Sequence, residues 1–173
     1  MDLDEYEYDD TQPPSRTGSI VEDDELLDWI GYHGLQRMRL FGEGATFNPI
    51  DKAWLVTVTG AQYLHHDRHV DNIEDISAHT WNLIAHVDGD QMLLCENGHL
   101  QFEHFEFIRG QMIYLNTTNL HMVSRKDPSS TMIMMQVSHL GPDDEQEAIA
   151  YIKKVHADYM EGKVHFNNKE KTA

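Results

Sequence analysis

From Lys52 to Ser138 the chain reads as short apolar runs cut by turn residues. "AWLVTVTG", "HTWNLIAHV", "QMLLCENG", "HLQFEHFEFI", "QMIYLNTT", "NLHMVS" and "STMIMMQVS" are rich in β-branched, aromatic and Met side chains, and Gly, Asp, Asn or Pro separates them. Runs of this length and spacing predict the strands of a β-sandwich or barrel. "VDGDQ" between two of them is a hairpin turn, which puts Asp88 in the turn. The period changes on both sides. In "EDDELLDWIGYHGLQRMRLF", Leu26, Leu27, Ile30, Leu35, Met38 and Leu40 recur at helical spacing behind an acidic first turn, with Gly31 and Gly34 as the places where the helix would break. After Gly141-Pro142, "DDEQEAIAYIKKVHADYM" repeats Ala148, Ile152, Val155 and Tyr159 at the same spacing and predicts a second helix. The first 22 residues, "MDLDEYEYDDTQPPSRTGSIVE", are acidic, hold a Pro-Pro pair and lack apolar periodicity, so they are expected to stay disordered or to pack loosely. The expected organisation is a tail over 1–22, one domain over 23–165, and a second tail over 166–173.

Composition narrows the partners. The 173 residues, 40% of them hydrophobic, suit one domain able to bury a core. A formal charge of −17 with no Lys/Arg stripe argues against nucleic acid. No run approaches the roughly 18 to 20 apolar residues of a membrane span, and the N-terminus lacks the basic-then-apolar order of a signal peptide, so a soluble cytoplasmic protein is expected. The single cysteine, Cys95, lies in an apolar run and reads as a buried thiol in a reducing compartment. The "MIMM" cluster reads as core packing. Nothing in the composition fixes the oligomeric state.

Residues 63–87 hold five of the twelve histidines. The chain has four H-x-D triplets, His65/Asp67, His69/Asp71, His86/Asp88 and His156/Asp158, where random placement gives roughly one. Two imidazoles and a carboxylate, two from one strand end and one from a distant strand, make a facial triad suited to Fe(II) with one face open. His69 and Asp71 with His121 fit that pattern, and so does a register shifted by four, His65 and Asp67 with His121. A solvated loop pair beside a hydrogen-bonded core histidine fits the spacing equally. By strand alternation, His79 and His86 fall on opposite faces of their strand.

The stretch "RGQMIYLNTTNLHMVSRKDPSSTMIMMQVSHLGPDDEQEA", residues 109–148, resembles the C-terminal half of the aspartyl/asparaginyl β-hydroxylase and proline hydroxylase group of Fe(II)/2-oxoglutarate oxygenases. The features are Gly110, a strand, a short loop, His121 with Val123, another strand and a closing acidic segment. Upstream, "HVDNIEDISAHTWNLIAHV" is similar to that group's H-x-D followed by a strand containing Asn82. The resemblance covers about residues 50–148. It implies a double-stranded β-helix, the jelly-roll or cupin-like barrel, with flanking N- and C-terminal helices. It also implies Fe(II) held by His69, Asp71 and His121, with 2-oxoglutarate as cosubstrate, O₂ as co-reactant and hydroxylation of an amino acid, peptide or related small substrate. Retention of the carboxylate position favours hydroxylation over halogenation.

One position departs from the group. An arginine normally stands roughly ten residues beyond the distal histidine to grip the far carboxylate of 2-oxoglutarate. Thr131 stands there. Strand alternation puts Arg125 on the face of His121, and Arg109 is a second candidate. Asn82, Arg125 and Thr131 are thus the expected cosubstrate positions. Two other classes remain open: a cupin-like metal- or ligand-binding barrel without 2-oxoglutarate, and a structural barrel whose histidines are surface residues.

Overall fold

The computed structural model describes residues 7–11, 13–42, 45–60, 63–66, 79–167 and 171–172; for 45–47 and 171–172 only the backbone is described. The elements in chain order are β1 (Arg16–Ile20), α1 (Asp24–Phe41), β2 (Ala45–Ile50), β3 (Ala53–Val58), β4 (His79–Val87), β5 (Gln91–Glu96), β6 (Phe102–Glu106), β7 (Gln111–Asn116), β8 (His121–Arg125), β9 (Met132–Ser138), α2 (Glu145–Met160) and β10 (Lys171–Thr172).

All strand pairs are antiparallel, in one sheet ordered β1-β7-β4-β9-β3-β2-β10 and another ordered β6-β5-β8. A bridge from His65 to His121 adds a further segment beside β8. Along the chain from Ala53, strands enter the sheets as β3, His65, β4, β5, β6, β7, β8, β9. The pairs 3 with 9, 4 with 9, 4 with 7, 65 with β8, 5 with 8 and 5 with 6 are those of a double-stranded β-helix, so the jelly-roll expectation holds.

Strand alternation divides the core in two. Trp54, Val56, Val58, Ile84, Leu93, Cys95, Ile113, Leu115, Val123, Met132 and Met134 pack together between the sheets and fill the barrel. Leu55, Trp81, Leu83, Met112, Tyr114, Ile133, Met135 and Val137 face the other way, onto Leu26, Leu27, Ile30, Ala148, Ile152 and Val155 of the helices. The "MIMM" methionines therefore serve both cores.

The helices have local reasons for their limits. Asp23 caps α1 by accepting from the Leu26 amide at 3.1 Å, acids Asp24 and Glu25 follow, and Gly42 at φ 87° closes the helix by donating to Met38 O at 2.8 Å. α1 runs unbroken through both glycines. Gly34 is there because a Cβ would lie 2.4 Å from Ile133 Cγ2, so β9 crosses the helix at that turn. α2 follows Asp144 with Glu145 and Glu147 in its first turn.

Three expectations need correction. The segment expected to be a disordered tail supplies β1, paired to β7, with Arg16 lying over the Trp81 ring at 5.3 Å. Its polar residues hid a strand that gains its place through tertiary pairing. The C-terminal tail begins with Phe166, which is buried in the helix-side core and stacks on Trp29. His79 and His86 share the outward face, because the ladder between β4 and β9 skips one residue between Ile84 and His86 and reverses the alternation. His79 stacks on outward-facing Tyr114, and the His86 Cβ lies nearest to the Cβ position of Gly31 on α1.

Candidate metal centre at the barrel mouth

The ends of β5 and β7 and the starts of β4, β6 and β8 gather at one mouth of the barrel. His121 is the first residue of β8, buried, and faces inward with Val123 and Arg125. Its partner across the ladder is Cys95. On its other side, His65 N donates to His121 O at 3.1 Å and His121 N to His65 O at 2.7 Å, a closed antiparallel pair that sets the two rings 4.4 Å apart.

Each imidazole is also oriented through Nδ1. His65 Nδ1 lies 2.7 Å from Tyr63 O, and His121 Nδ1 lies 2.8 Å from Asn119 O. A backbone carbonyl can only accept, so both Nδ1 atoms carry a proton, which in a neutral imidazole leaves the lone pair on Nε2. That is the tautomer and the outer support of a metal-ligating histidine. Among the described residues, no third His, Cys, Asp or Glu completes a metal-binding group with them. His69, Asp71 and Asp67 lie outside the described residues.

The other expected positions are more committed. Asn82 is buried and faces inward. Its Nδ2 donates to Thr80 Oγ1 at 3.0 Å and Ile113 O at 3.2 Å, and its Oδ1 accepts from Gln136 Nε2 at 3.1 Å, which spends its amide within the sheet. Thr131 lies at the opposite end, in the turn before β9, where its N donates to Asp88 Oδ1 at 2.7 Å. Arg109 is corrected outright. It sits outside the barrel and reaches α1, with Nη1 2.9 Å from Asp24 Oδ1 and Nη2 2.7 Å from Asp28 Oδ1, because the β7 approach turns it toward the acidic first turn of the helix.

Arg125 stands at the end of β8 away from the mouth, opposite Gln91. Nη1 donates to Ser130 O at 2.8 Å, while Nε and Nη2 are buried without a partner among the described residues. Burial pushes the guanidinium below its ordinary value, with Asp88 opposing. A buried guanidinium with two open donors is an anion-accepting group.

Cys95 borders the histidines from β5. Burial pushes its thiol up to about 12; a hydrogen bond with Ser15 opposes the rise and Glu103 adds to it. It is therefore a protonated, inert thiol at neutral pH. Sequence reasoning passed over Ser15, Asn97, Asn116 and Asn119, which shape this mouth; their only signal was a set of asparagines at strand ends.

No protein-family model matches the chain, and no curated protein matches it. Among solved structures, it is similar to a single-substitution mutant of Bacillus subtilis oxalate decarboxylase, at 15% identity and TM-score 0.37 over 55% of this chain. A second oxalate decarboxylase structure, concerned with substrate binding and a reaction-specificity switch, matches at 14% identity and TM-score 0.38 over 58%. A third, concerned with the Mn(II) centres of the Bacillus subtilis enzyme, matches at 14% identity and TM-score 0.37. The alignments span 26% to 28% of those chains, so this chain matches about a quarter of their length. Among the described residues, no helix is long and apolar enough to cross a membrane.

Proposed function

We propose that this jelly-roll is a divalent-metal-binding barrel and, more finely, a non-haem Fe(II)/2-oxoglutarate-dependent hydroxylase of an amino acid, peptide or related small substrate. The observation that carries the metal reading is the pairing of His65 with His121, each with Nδ1 held by a backbone carbonyl. Asp67, two residues after His65, supplies the carboxylate that two imidazoles need for a facial triad. The bridge between His65 and His121 supports the shifted register, His65 and Asp67 with His121, as the proposed ligand set.

The finer reading rests on Arg125. It shares the inward face of β8 with His121 at the far end of the strand, and its two open donors suit the far carboxylate of a dicarboxylic acid. Fe(II) bound at the mouth would supply O₂ activation coupled to 2-oxoglutarate decarboxylation. The chain's own residues would do the rest: His65, Asp67 and His121 hold the ion, Arg125 orients the cosubstrate, and the packed side chains of Val56, Ile84, Leu93, Ile113 and Val123 exclude water.

The second reading is a metal-binding barrel without 2-oxoglutarate. Arg125 supports it through the bond to Ser130 O, which ties the guanidinium back to its own turn. Anaerobic titration separates the two. If the iron-loaded protein develops the visible charge-transfer band of keto-acid chelation on adding 2-oxoglutarate, the oxygenase reading stands. If iron binds and no band appears at millimolar 2-oxoglutarate, the plain metal-binding barrel takes its place.

A further inference from the structure

We infer that residues 7–11 and 13–15 form a strap that closes the barrel mouth, and that ligands reach His65 and His121 only when its outer part, residues 7–11, lifts. The inference rests on the mouth being the binding site.

The inner part is fixed to both loops that rim the mouth. Ser15 N donates to Asn97 Oδ1 at 3.0 Å and Asn97 Nδ2 donates back to Ser15 O at 2.9 Å, a two-bond grip on one residue. Asn116 N donates to Ser15 Oγ at 2.9 Å, and Asn116 Nδ2 to Pro13 O at 3.2 Å. Ser15 is itself buried, and the chain continues directly into β1. Pro13 and Pro14 stiffen the segment where it leaves these anchors.

The outer part lies beside the histidines and is held less deeply. Asp9 N donates to Asn119 Oδ1 at 3.0 Å, and Asn119 is the residue whose carbonyl orients His121. Tyr8 is half-buried, and its phenol is raised above its ordinary value by burial first, then by Glu96, Asp10, Asp9 and Cys95. Asp9 also acts on His79 at the start of β4. Glu7, Asp10 and Thr11 are exposed. A segment that buries so little while its neighbour buries its anchors opens locally, without the barrel unfolding.

Cys95 makes opening measurable, because it is the single cysteine, faces inward beside His121 and lies under the strap at Ser15 and Tyr8. The full chain, without metal, is treated with a colorimetric aromatic disulfide in excess, alongside a variant lacking residues 1–11 and the variants Asn119→Ala and Tyr8→Ala. Urea midpoints are measured on each. The trimmed chain is expected to react at least about tenfold faster at an unchanged midpoint, with the two point variants between. Equal rates for the full and trimmed chains, or rates that rise only in step with lost global stability, would overturn the strap. A second arm measures Co(II) uptake by stopped flow. Faster thiol reaction with no Co(II) binding leaves the strap standing and removes the metal reading; Co(II) uptake at the same rate in both chains removes the gating.

Discussion

The rings of His65 and His121 meet 4.4 Å apart across a single antiparallel bridge, although 55 residues and four strands, β4 to β7, come between them in the chain. Both are fixed in the same tautomer by carbonyls two residues upstream, Tyr63 and Asn119. The metal affinity should follow this pair. His65→Ala and His121→Ala are each expected to weaken Co(II) or anaerobic Fe(II) binding by at least about a hundredfold, while His69→Ala changes it little. Calorimetric titration checks this. A large loss in His69→Ala with His65→Ala unaffected would return the ligand set to His69 and Asp71.

Arg125 is expected to separate cosubstrate binding from stability. Arg125→Met should weaken 2-oxoglutarate binding about ten- to a hundredfold, the worth of one charged hydrogen-bonded contact, and leave metal affinity unchanged. The same change removes a buried cation with two unpartnered nitrogens, so the urea midpoint should hold or rise. A variant that loses stability and keeps its 2-oxoglutarate affinity would mark Arg125 as a brace for its turn.

Gly31 and Gly34 stand three residues apart on α1 and should respond oppositely to alanine. At Gly31 the nearest atom to an added Cβ is 3.7 Å away, an ordinary contact, so Gly31→Ala should stabilise by about 1 kcal/mol through helix propensity. At Gly34 the Cβ would meet three atoms of the branched Ile133 side chain at 2.4 to 3.0 Å, so Gly34→Ala should cost about 1–3 kcal/mol despite the same propensity gain. Thermal unfolding of the two variants, and of Gly34→Ala combined with Ile133→Ala, tests whether relief of that contact restores the helix gain.

Acid should loosen the helix layer through His33. It sits among Trp29, Tyr32, Tyr159 and Phe166 at 5.0 to 5.5 Å, and burial, with Arg37 adding, pushes it down to about 4. The folded state thus binds fewer protons than the unfolded state below the ordinary histidine value. Stability from this group is complete above pH 6.5 and is lost as pH falls toward 4, by about 3 kcal/mol at most. His33→Gln should flatten that part of the stability profile measured by urea unfolding from pH 7 to 4.

The seven interior strands and both helices were legible in the sequence because each carries its own period and its own turn signals. The ring of the site was less so. The pairing of His65 with β8 was hidden, because it is a contact set by register across the fold, and distance along the chain to β4 carries no information about it. The outward placement of His86 was hidden for a related reason, since one skipped residue in the β4 ladder reverses every later side chain. The placement of His121 on a late strand was legible in the sequence, and it stands there as the first residue of β8. Arg109 looked equally available in sequence, yet its fork meets two aspartates on α1 that only the packed helix brings within reach.

β1 covers the edge of β7, and α2 secures it there: Glu145 accepts from the Ser19 amide, and Arg16 donates to Pro142 O just ahead of the helix. A chain trimmed at residue 22, where composition changes, would leave the β7 backbone as a bare ladder next to Met112 and Tyr114. Such an edge recruits strands from neighbouring molecules. The acidic leader therefore acts as a guard against self-association as well as a part of the barrel, and expression trials that begin at Glu22 should yield aggregates where those beginning at Gln12 remain monodisperse.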